Sequence, residues 1–494
     1  MRREVAIRPP RSHPTTHAGE RGVRDLELLV TAGLGDNSYV LWSNGEALVV
    51  DPQRDIARFL EVLAARGLTL RWVLETHVHN DYVSGALALA LATGARAAGP
   101  VGAGYAFDHL PLAEGDELTV GALRLVAAHT PGHTPEHMSY LVLAESADAA
   151  AAAFTGGSLM IGGAGRTDLL GPSLTDELTR SQYRTLRRLS ALPDEVEVFP
   201  THGKGSFCGA ALGPSERTGT LAEERLRNPA LTAPDEESFV EQQLSGLLAY
   251  PTYYGFMAPL NRSGAAAGSS AMPPALGLEE VGDGLVIDAR RRRTFAAGHI
   301  PGSVNVELGN TFSSYVGWLP DGDGSGSVVQ FNEPLVLVLP EPEDASLREA
   351  VTQLARIGWD DVRGYLAGGI EPWRASGRPV GTYPVVDLDE FCRRYRSGDV
   401  GTIVDVRQRT EWDAGHIPGS QHLFVGDLPG RLDEIKDEQV WLICTSGQRA
   451  SIAASLVARH HGPASVRLVA KGGVERFLST CRQLNPSVAR LPAK

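Results

Sequence analysis

Thr76-His77-Val78-His79-Asn80-Asp81-Tyr82 comes directly after the strand-like run Trp72–Glu75. Two imidazoles in alternation, with a carboxylate two residues on, can close on one cation when they sit on a loop leaving a strand. Histidine is a common ligand of zinc and iron. A lone His-x-His is weak and is usually surface chemistry. Two later loops strengthen it. His133 lies in Thr130-Pro131-Gly132-His133-Thr134-Pro135-Glu136-His137, and His202 lies in Phe199-Pro200-Thr201-His202-Gly203.

Around these loops the first third of the chain alternates strands and helices. Leu26–Thr31, Asn37–Ser43 and Glu46–Asp51 are β-rich runs separated by turn residues at Gly33–Asp36 and Asn44-Gly45. Ile56–Arg66 has helical spacing, and Gly85–Thr93 reads as one buried helix. Further strands are expected at Leu123–Ala127, Ser139–Leu143 and Val196–Phe199. A helix-rich stretch runs from about 215 to 262, and Ala265–Pro274 has the composition of a linker.

The 494 residues are too many for one core, so two to four domains are expected. A net charge of −13 argues against a nucleic-acid or anionic-membrane partner, because phosphates demand a basic face. No apolar run reaches the roughly 18 residues that span a bilayer. Residues 1–24, rich in Arg with several Pro, read as a disordered tail without a secretory apolar core. Four cysteines, at 208, 392, 444 and 481, do not make a disulfide framework. A reducing cytoplasm is therefore expected, with Cys392 and Cys481 as buried core residues.

Beyond the linker the chain repeats itself. Ile287-Asp288-Ala289-Arg290 precedes Gly298-His299-Ile300-Pro301-Gly302-Ser303, and Val404-Asp405-Val406-Arg407 precedes Gly415-His416-Ile417-Pro418-Gly419-Ser420. Ala367-Gly368-Gly369 and Ala470-Lys471-Gly472-Gly473 close the two copies. Two related α/β domains in tandem are implied.

In the second copy the strand Val440–Ile443 ends at Cys444, followed by Thr445-Ser446-Gly447-Gln448-Arg449 and a helical pattern, Ala450–Arg459. A thiol between a strand end and a helix start sits in an anion cradle. Loop amides, the helix dipole and Arg449 favour the thiolate, which can attack a sulfane sulfur and hold it as a persulfide. The first copy lacks this chemistry. Leu339 stands where Cys444 stands, Asp344 where Arg449 stands, and Leu339-Pro340-Glu341-Pro342-Glu343-Asp344 brings two prolines and three acids.

With its Asp-x-Arg and Gly-His-Ile-Pro-Gly-Ser context, this half of the chain resembles the rhodanese family. The resemblance implies Cys444 as sulfur carrier, Arg449 as the loop-closing cation, and Asp405, Arg407 and Glu411 as braces. The first part resembles the metallo-β-lactamase superfamily, above all its persulfide dioxygenases and glyoxalase II relatives, on the histidine loops and on Gly165-Arg166-Thr167-Asp168-Leu169. The implied architecture is α/β: a metallo-β-lactamase αββα sandwich over 25–262, a linker over 263–276, and two rhodanese-type α/β domains over 277–382 and 383–490. The implied cofactor is Fe(II) or Zn(II), held among His77, His79, Asp81, His133 and His202. Arg166 is expected either to contact an anionic thiol or to form a structural ion pair with Asp168.

Departures bear on that expectation. The family's metal-binding Asp follows Phe-Thr-Gly, but here Phe154-Thr155-Gly156 runs into Gly157, and Tyr82 replaces a histidine. A three-histidine set of His77, His79 and His133 remains, with Asp81 and His202 nearby. Three functions stay open. One is a persulfide dioxygenase-like metal domain coupled to rhodanese-type transfer through Cys444. The others are a metal-deficient scaffold serving as persulfide carrier or sensor, and a glyoxalase II-like thioester hydrolase. The expected partner is a small persulfide or glutathione-like thiol, with homo-oligomerisation left open.

Overall fold

Asn44-Gly45 closes a two-residue hairpin, both residues at positive φ (50° and 78°), between strands Asp36–Ser43 and Glu46–Val50. This hairpin seeds a six-stranded sheet in the order Leu26–Thr31, Asp36–Ser43, Glu46–Val50, Thr69–Leu74, Arg96–Pro100, Leu110–Leu112. Its first pairings are antiparallel and its last three parallel. A second six-stranded sheet runs Gly219–Thr220, Glu197–Pro200, Ala152–Gly156, Met138–Ala144, Leu123–His129, Glu117–Val120. The computed structural model describes residues 25–144, 149–209, 215–265, 271–320, 329–436 and 438–481. The expected disordered tail lies outside the described residues.

Side-chain alternation decides the layering. Tyr39, Leu41, Leu48, Val50 and Leu74 from one sheet pack against Leu125, Tyr140, Phe154 and Phe199 from the other. The intervening positions point outward. Val40, Val49 and Val73 meet Phe59, Leu63 and Leu89 of helices Ala57–Arg66 and Ala86–Thr93. On the far side, Ala153 and Val198 meet Leu186, Leu221 and Phe239 of helices Pro172–Leu189, Leu221–Arg227 and Glu236–Ser245. The result is the expected αββα sandwich.

Two five-stranded, wholly parallel sheets follow with the same strand order. The first is Ala275–Leu276, Val362–Leu366, Leu335–Val338, Leu285–Asp288, Val304–Asn305; the second is Val385–Asp387, Val466–Lys471, Val440–Ile443, Thr402–Asp405, Gln421–His422. Ala275–Leu276 thus belongs to the first of these sheets, although it falls inside the stretch expected to be linker. The repeated motifs bond to one another. Asp288 and Asp405 each take a buried ion pair from the arginine two residues on, at 2.5 and 2.7 Å. The same guanidinium donates to the carbonyl of Gly298 (2.9 Å) or Gly415 (2.7 Å). Asp-x-Arg therefore fixes where Gly-His-Ile-Pro-Gly-Ser turns from the helix back to the edge strand of the sheet.

Two features differ from, or sharpen, the sequence reading. Cys392 and Cys481 are not separate core thiols but a disulfide, with Cα atoms 6.1 Å apart. It ties helix Leu388–Ser397 to the end of helix Val474–Thr480. Their separation of 89 residues left no local spacing signal. His299 is buried against Phe295, the rings stacked at 4.0 Å, and burial pushes its pKa down from 6.5 to about 4. The folded state thus binds its proton less readily than the unfolded chain. Its contribution to stability is complete above pH 6.5 and is lost as pH falls from there towards about 4. His299→Gln should flatten that part of a thermal-midpoint-against-pH curve; a variant whose curve follows wild type would remove His299 as a cause. Among the described residues, no helix is long and apolar enough to cross a membrane.

Candidate metal centre and thiol loop

The strand Thr69–Leu74 delivers Glu75 and the His77–Asp81 loop to the edge of the sandwich, where the loops of His133 and His202 meet it. His77, His133 and His202, all buried, bring one ring nitrogen each to within 4.8 Å of the others. Each ring is oriented from behind. His77 Nδ1 lies 2.8 Å from Thr76 Oγ1, His133 Nδ1 is 2.7 Å from the Arg166 carbonyl, and His202 Nδ1 is 2.9 Å from Asp36 Oδ1. Their Nε2 atoms turn inward. His77 and His202 Nε2 face each other at 3.4 Å, and His133 Nε2 has no hydrogen-bond partner. Rings anchored through one nitrogen while the other converges on a common point are how proteins present imidazole to a metal. The donor set therefore fits a metal ion.

His79 is held differently from the expected set. Its Nε2 lies 2.8 Å from Glu75 Oε2, 3.2 Å from Asp51 Oδ1 and 3.0 Å from the Tyr82 hydroxyl, while Nδ1 has no hydrogen-bond partner. Nδ1 is thus the ring nitrogen of His79 left without a hydrogen bond. Asp81 Oδ2 is 3.2 Å from His202 Nδ1, so His202 sits between two buried carboxylates. Burial opposes its charge, but Asp81 and Asp36 outweigh burial and raise its pKa to about 9. His133 goes the other way: burial and the nearby His202 hold it neutral, with a pKa of about 3.

Asp36, Asp51 and Glu75 escaped the sequence reading because single acids at strand ends carry no spacing signal. One mark was there for Asp51, which closes the apolar run Leu48-Val49-Val50. It is buried at φ 51°, an unusual conformation for a non-glycine residue. Its carboxylate accepts Thr76 N–H and Thr76 Oγ1, both at 2.7 Å, and also the Thr201 hydroxyl.

Gly157 leaves no carboxylate, and the space in front of it is taken. A Cβ built there would overlap the His133 ring, and the Gly157 N–H donates to His137 Nε2 at 2.9 Å. Gly157→Asp should therefore unseat His133 rather than restore a ligand. We expect a lower thermal midpoint, with a cost of about 2 kcal/mol or more from overpacking and a buried charge; a midpoint at or above wild type would show that the ring moves aside freely.

Arg166 makes the ion pair with Asp168 that one of its two expected readings requires. Only 1% exposed, it forms a bidentate pair with Asp168 (2.7 Å for both bonds) and donates to the carbonyls of Phe207 (3.0 Å) and Leu248 (2.8 Å). These bonds use four of its five N–H donors. Cys208 is buried, its Sγ 3.9 Å from the Tyr254 hydroxyl.

The thiol loop lies in the last domain. The strand Val440–Ile443 ends at Cys444, and helix Gln448–His461 begins four residues later. Gly447, at φ 93°, turns its N–H onto Cys444 Sγ at 3.0 Å. Arg449 does not touch the sulfur. Its guanidinium is held by Glu411 (2.5 and 2.8 Å) and reaches Thr445 Oγ1 at 3.2 Å, closing the loop as a brace. Behind the loop, Gly473 lies against the Cys444 and Thr445 carbonyls, where a Cβ would overlap both, and Val474 N–H donates to the Cys444 carbonyl at 3.2 Å. Ser446 and Gln448 face the preceding domain: the Ser446 carbonyl accepts from Arg292, and Gln448 Nε2 donates to Thr311 Oγ1 at 3.1 Å. Under this cover Cys444 is only 1% exposed. In the first copy Leu339, also buried, occupies the strand end.

Comparison with known proteins agrees with this division. The Metallo-beta-lactamase superfamily profile matches residues 32–202, and the Rhodanese-like domain profile matches twice, at 275–376 and 387–480. A hydroxyacylglutathione hydrolase from Cereibacter sphaeroides is 31% identical over 273 residues, spanning 54% of this chain and 98% of that protein. A probable metallo-hydrolase from Burkholderia pseudomallei is 38% identical over 204 residues, spanning 33% of this chain and 67% of that protein. The crystal structure of a metallo-beta-lactamase from Staphylococcus aureus superposes with a TM-score of 0.61 at 27% identity, covering 69% of this chain and 98% of that one. The chain belongs to the metallo-beta-lactamase superfamily and carries two rhodanese-like domains after that domain.

Proposed function

We propose that this chain is a sulfur-handling enzyme: Cys444 carries a sulfane sulfur, and the first domain acts at a metal on a small thiol-derived substrate. The observation that carries the reading is the Gly447 amide on Cys444 Sγ (3.0 Å), in a loop braced by Arg449 and Glu411. That amide favours an anionic sulfur. The thiolate attacks the outer sulfur of a persulfide donor, the Cys444 S–S bond forms as the donor's S–S bond breaks, and the donor leaves as its thiolate. The reverse step passes the sulfur to an acceptor thiolate.

In the first domain His77, His133 and His202 would hold the ion, with Asp36 behind His202 and with His79 and Asp81 close enough to His202 to form a second set of donors. When bound, Zn(II) or Fe(II) supplies a Lewis acid, and iron adds reactivity towards O2. Neutral His133 offers its lone pair at physiological pH, while His202 has to yield a proton to become a ligand, so metal uptake weakens as pH falls.

Two substrates fit. The rhodanese-like partner domains favour a glutathione-like persulfide, as in a dioxygenase. The hydroxyacylglutathione hydrolase relatives favour a glutathione thioester. Metal analysis of purified protein, O2 consumption with glutathione persulfide and hydrolysis of a glutathione thioester separate them. We expect bound metal together with O2 consumption. Thioester hydrolysis without O2 uptake would move the first domain to the hydrolase reading, and absence of metal would leave it a scaffold for Cys444.

A further inference from the structure

The first rhodanese-like domain has no thiol of its own at the strand end, yet it reaches the thiol loop of the second. Arg292 opens helix Arg292–Ala297 and is clamped by Glu307, with Nε 2.8 Å from Oε1 and Nη2 2.7 Å from Oε2. That grip leaves Nη1 to cross the domain boundary and donate to the Ser446 carbonyl at 2.5 Å. The approach is close enough that a Cβ on Gly447 would come within 2.8 Å of Nη1.

The Ser446 carbonyl and the Gly447 amide are the two ends of one peptide unit, and in a trans unit they point in opposite directions. The amide end donates to Cys444 Sγ at 3.0 Å. One peptide dipole therefore has a guanidinium at its negative end and the sulfur at its positive end. Hydrogen bonds in such a chain polarise one another, so a cation on the carbonyl strengthens the amide as a donor. The boundary is anchored further along. Ser451 Oγ donates to Asn305 Oδ1 at 2.6 Å, and Asn305 N–H donates to Ser455 Oγ at 3.0 Å.

We infer that Arg292 is a positioning residue for Cys444: acting through the Ser446–Gly447 peptide, the degenerate first rhodanese-like domain favours the anionic sulfur of the second. This rests on the reading of Cys444 as sulfur carrier. It gives the first copy a role despite Leu339 and its acidic, proline-bearing loop. Among the described residues, Arg449 of its own domain and Arg292 and Tyr315 of the other interact electrostatically with the sulfur, and Glu411 and Glu307 pair with the two arginines.

The test is the rate of Cys444 alkylation by iodoacetamide, followed by mass spectrometry of the Cys444 peptide from pH 6 to 10 in the full-length protein. Arg292→Gln should slow alkylation about five- to tenfold near neutral pH, less than the worth of a charge-assisted hydrogen bond made directly to the sulfur because the charge acts through the peptide, and converge with wild type at high pH. Arg292→Lys should recover part of the rate. Glu307→Gln, which keeps the guanidinium but loosens its clamp, should shift the profile in the same direction by less. If both Arg292→Gln and Glu307→Gln alkylate at the wild-type rate or faster throughout, Arg292 merely covers the thiol and the inference fails. Alkylation does not require sulfur transfer, so this outcome is distinct from a failure of the carrier reading, which Cys444→Ser reports.

Discussion

Cys444→Ser should lower sulfane-sulfur transfer to a thiol acceptor by at least about 10³-fold. A serine hydroxyl is un-ionised at neutral pH and forms no persulfide, while the loop around it keeps its shape. Arg449 stays on Glu411 at 2.5 and 2.8 Å, and Gly473 still packs against the loop carbonyls. The loss is therefore chemical, and the thermal midpoint should stay near wild type. The corresponding change in the first copy, Leu339→Ala, touches no sulfur chemistry and should cost stability alone. Transfer from thiosulfate or glutathione persulfide, measured for the two variants side by side, checks both. A Cys444→Ser protein that still transfers would place the nucleophile elsewhere.

The second large effect is expected at the histidine cluster. His133→Ala should reduce metal content after equal dialysis to below about a tenth of wild type, because it deletes one of three converging nitrogens. Asp36→Asn is gentler. It keeps a hydrogen-bond acceptor near His202 Nδ1 but removes the charge, and it should weaken metal affinity about 10- to 100-fold. Arg166→Gln, by contrast, should act on stability, since all its bonds are to Asp168 and to backbone carbonyls. Metal per chain by elemental analysis, with thermal midpoints alongside, separates the three. Wild-type metal content in His133→Ala would show that the ion binds elsewhere, for instance among Asp51, His77 and His79.

What the sequence made legible is what local periodicity and repetition encode. The hairpin at Asn44-Gly45, the strand that ends at Cys444 and the helix after it stand where alternation and turn residues put them. Asp-x-Arg and Gly-His-Ile-Pro-Gly-Ser repeat because they bond to each other within each domain. The histidine loops announced themselves by residue type. Partners supplied from far away in the chain were not legible. Asp36 reaches His202, Cys392 joins Cys481, and Arg292 meets Ser446, each across a separation over which nothing in the residue pattern couples the two positions. The roles of His79 and Arg166 depend on ring orientation and on how many donors are already used, which only three-dimensional packing determines.

Mass spectrometry of the purified protein after brief exposure to glutathione persulfide, with unreacted thiols then capped, goes directly to whether Cys444 takes up sulfur. The expected result is a mass increase of one sulfur atom on the Cys444 peptide, absent from Cys444→Ser and discharged by an acceptor thiol. A Cys444 peptide that stays unmodified while the donor is consumed would contradict the assignment of that thiol as the sulfur carrier.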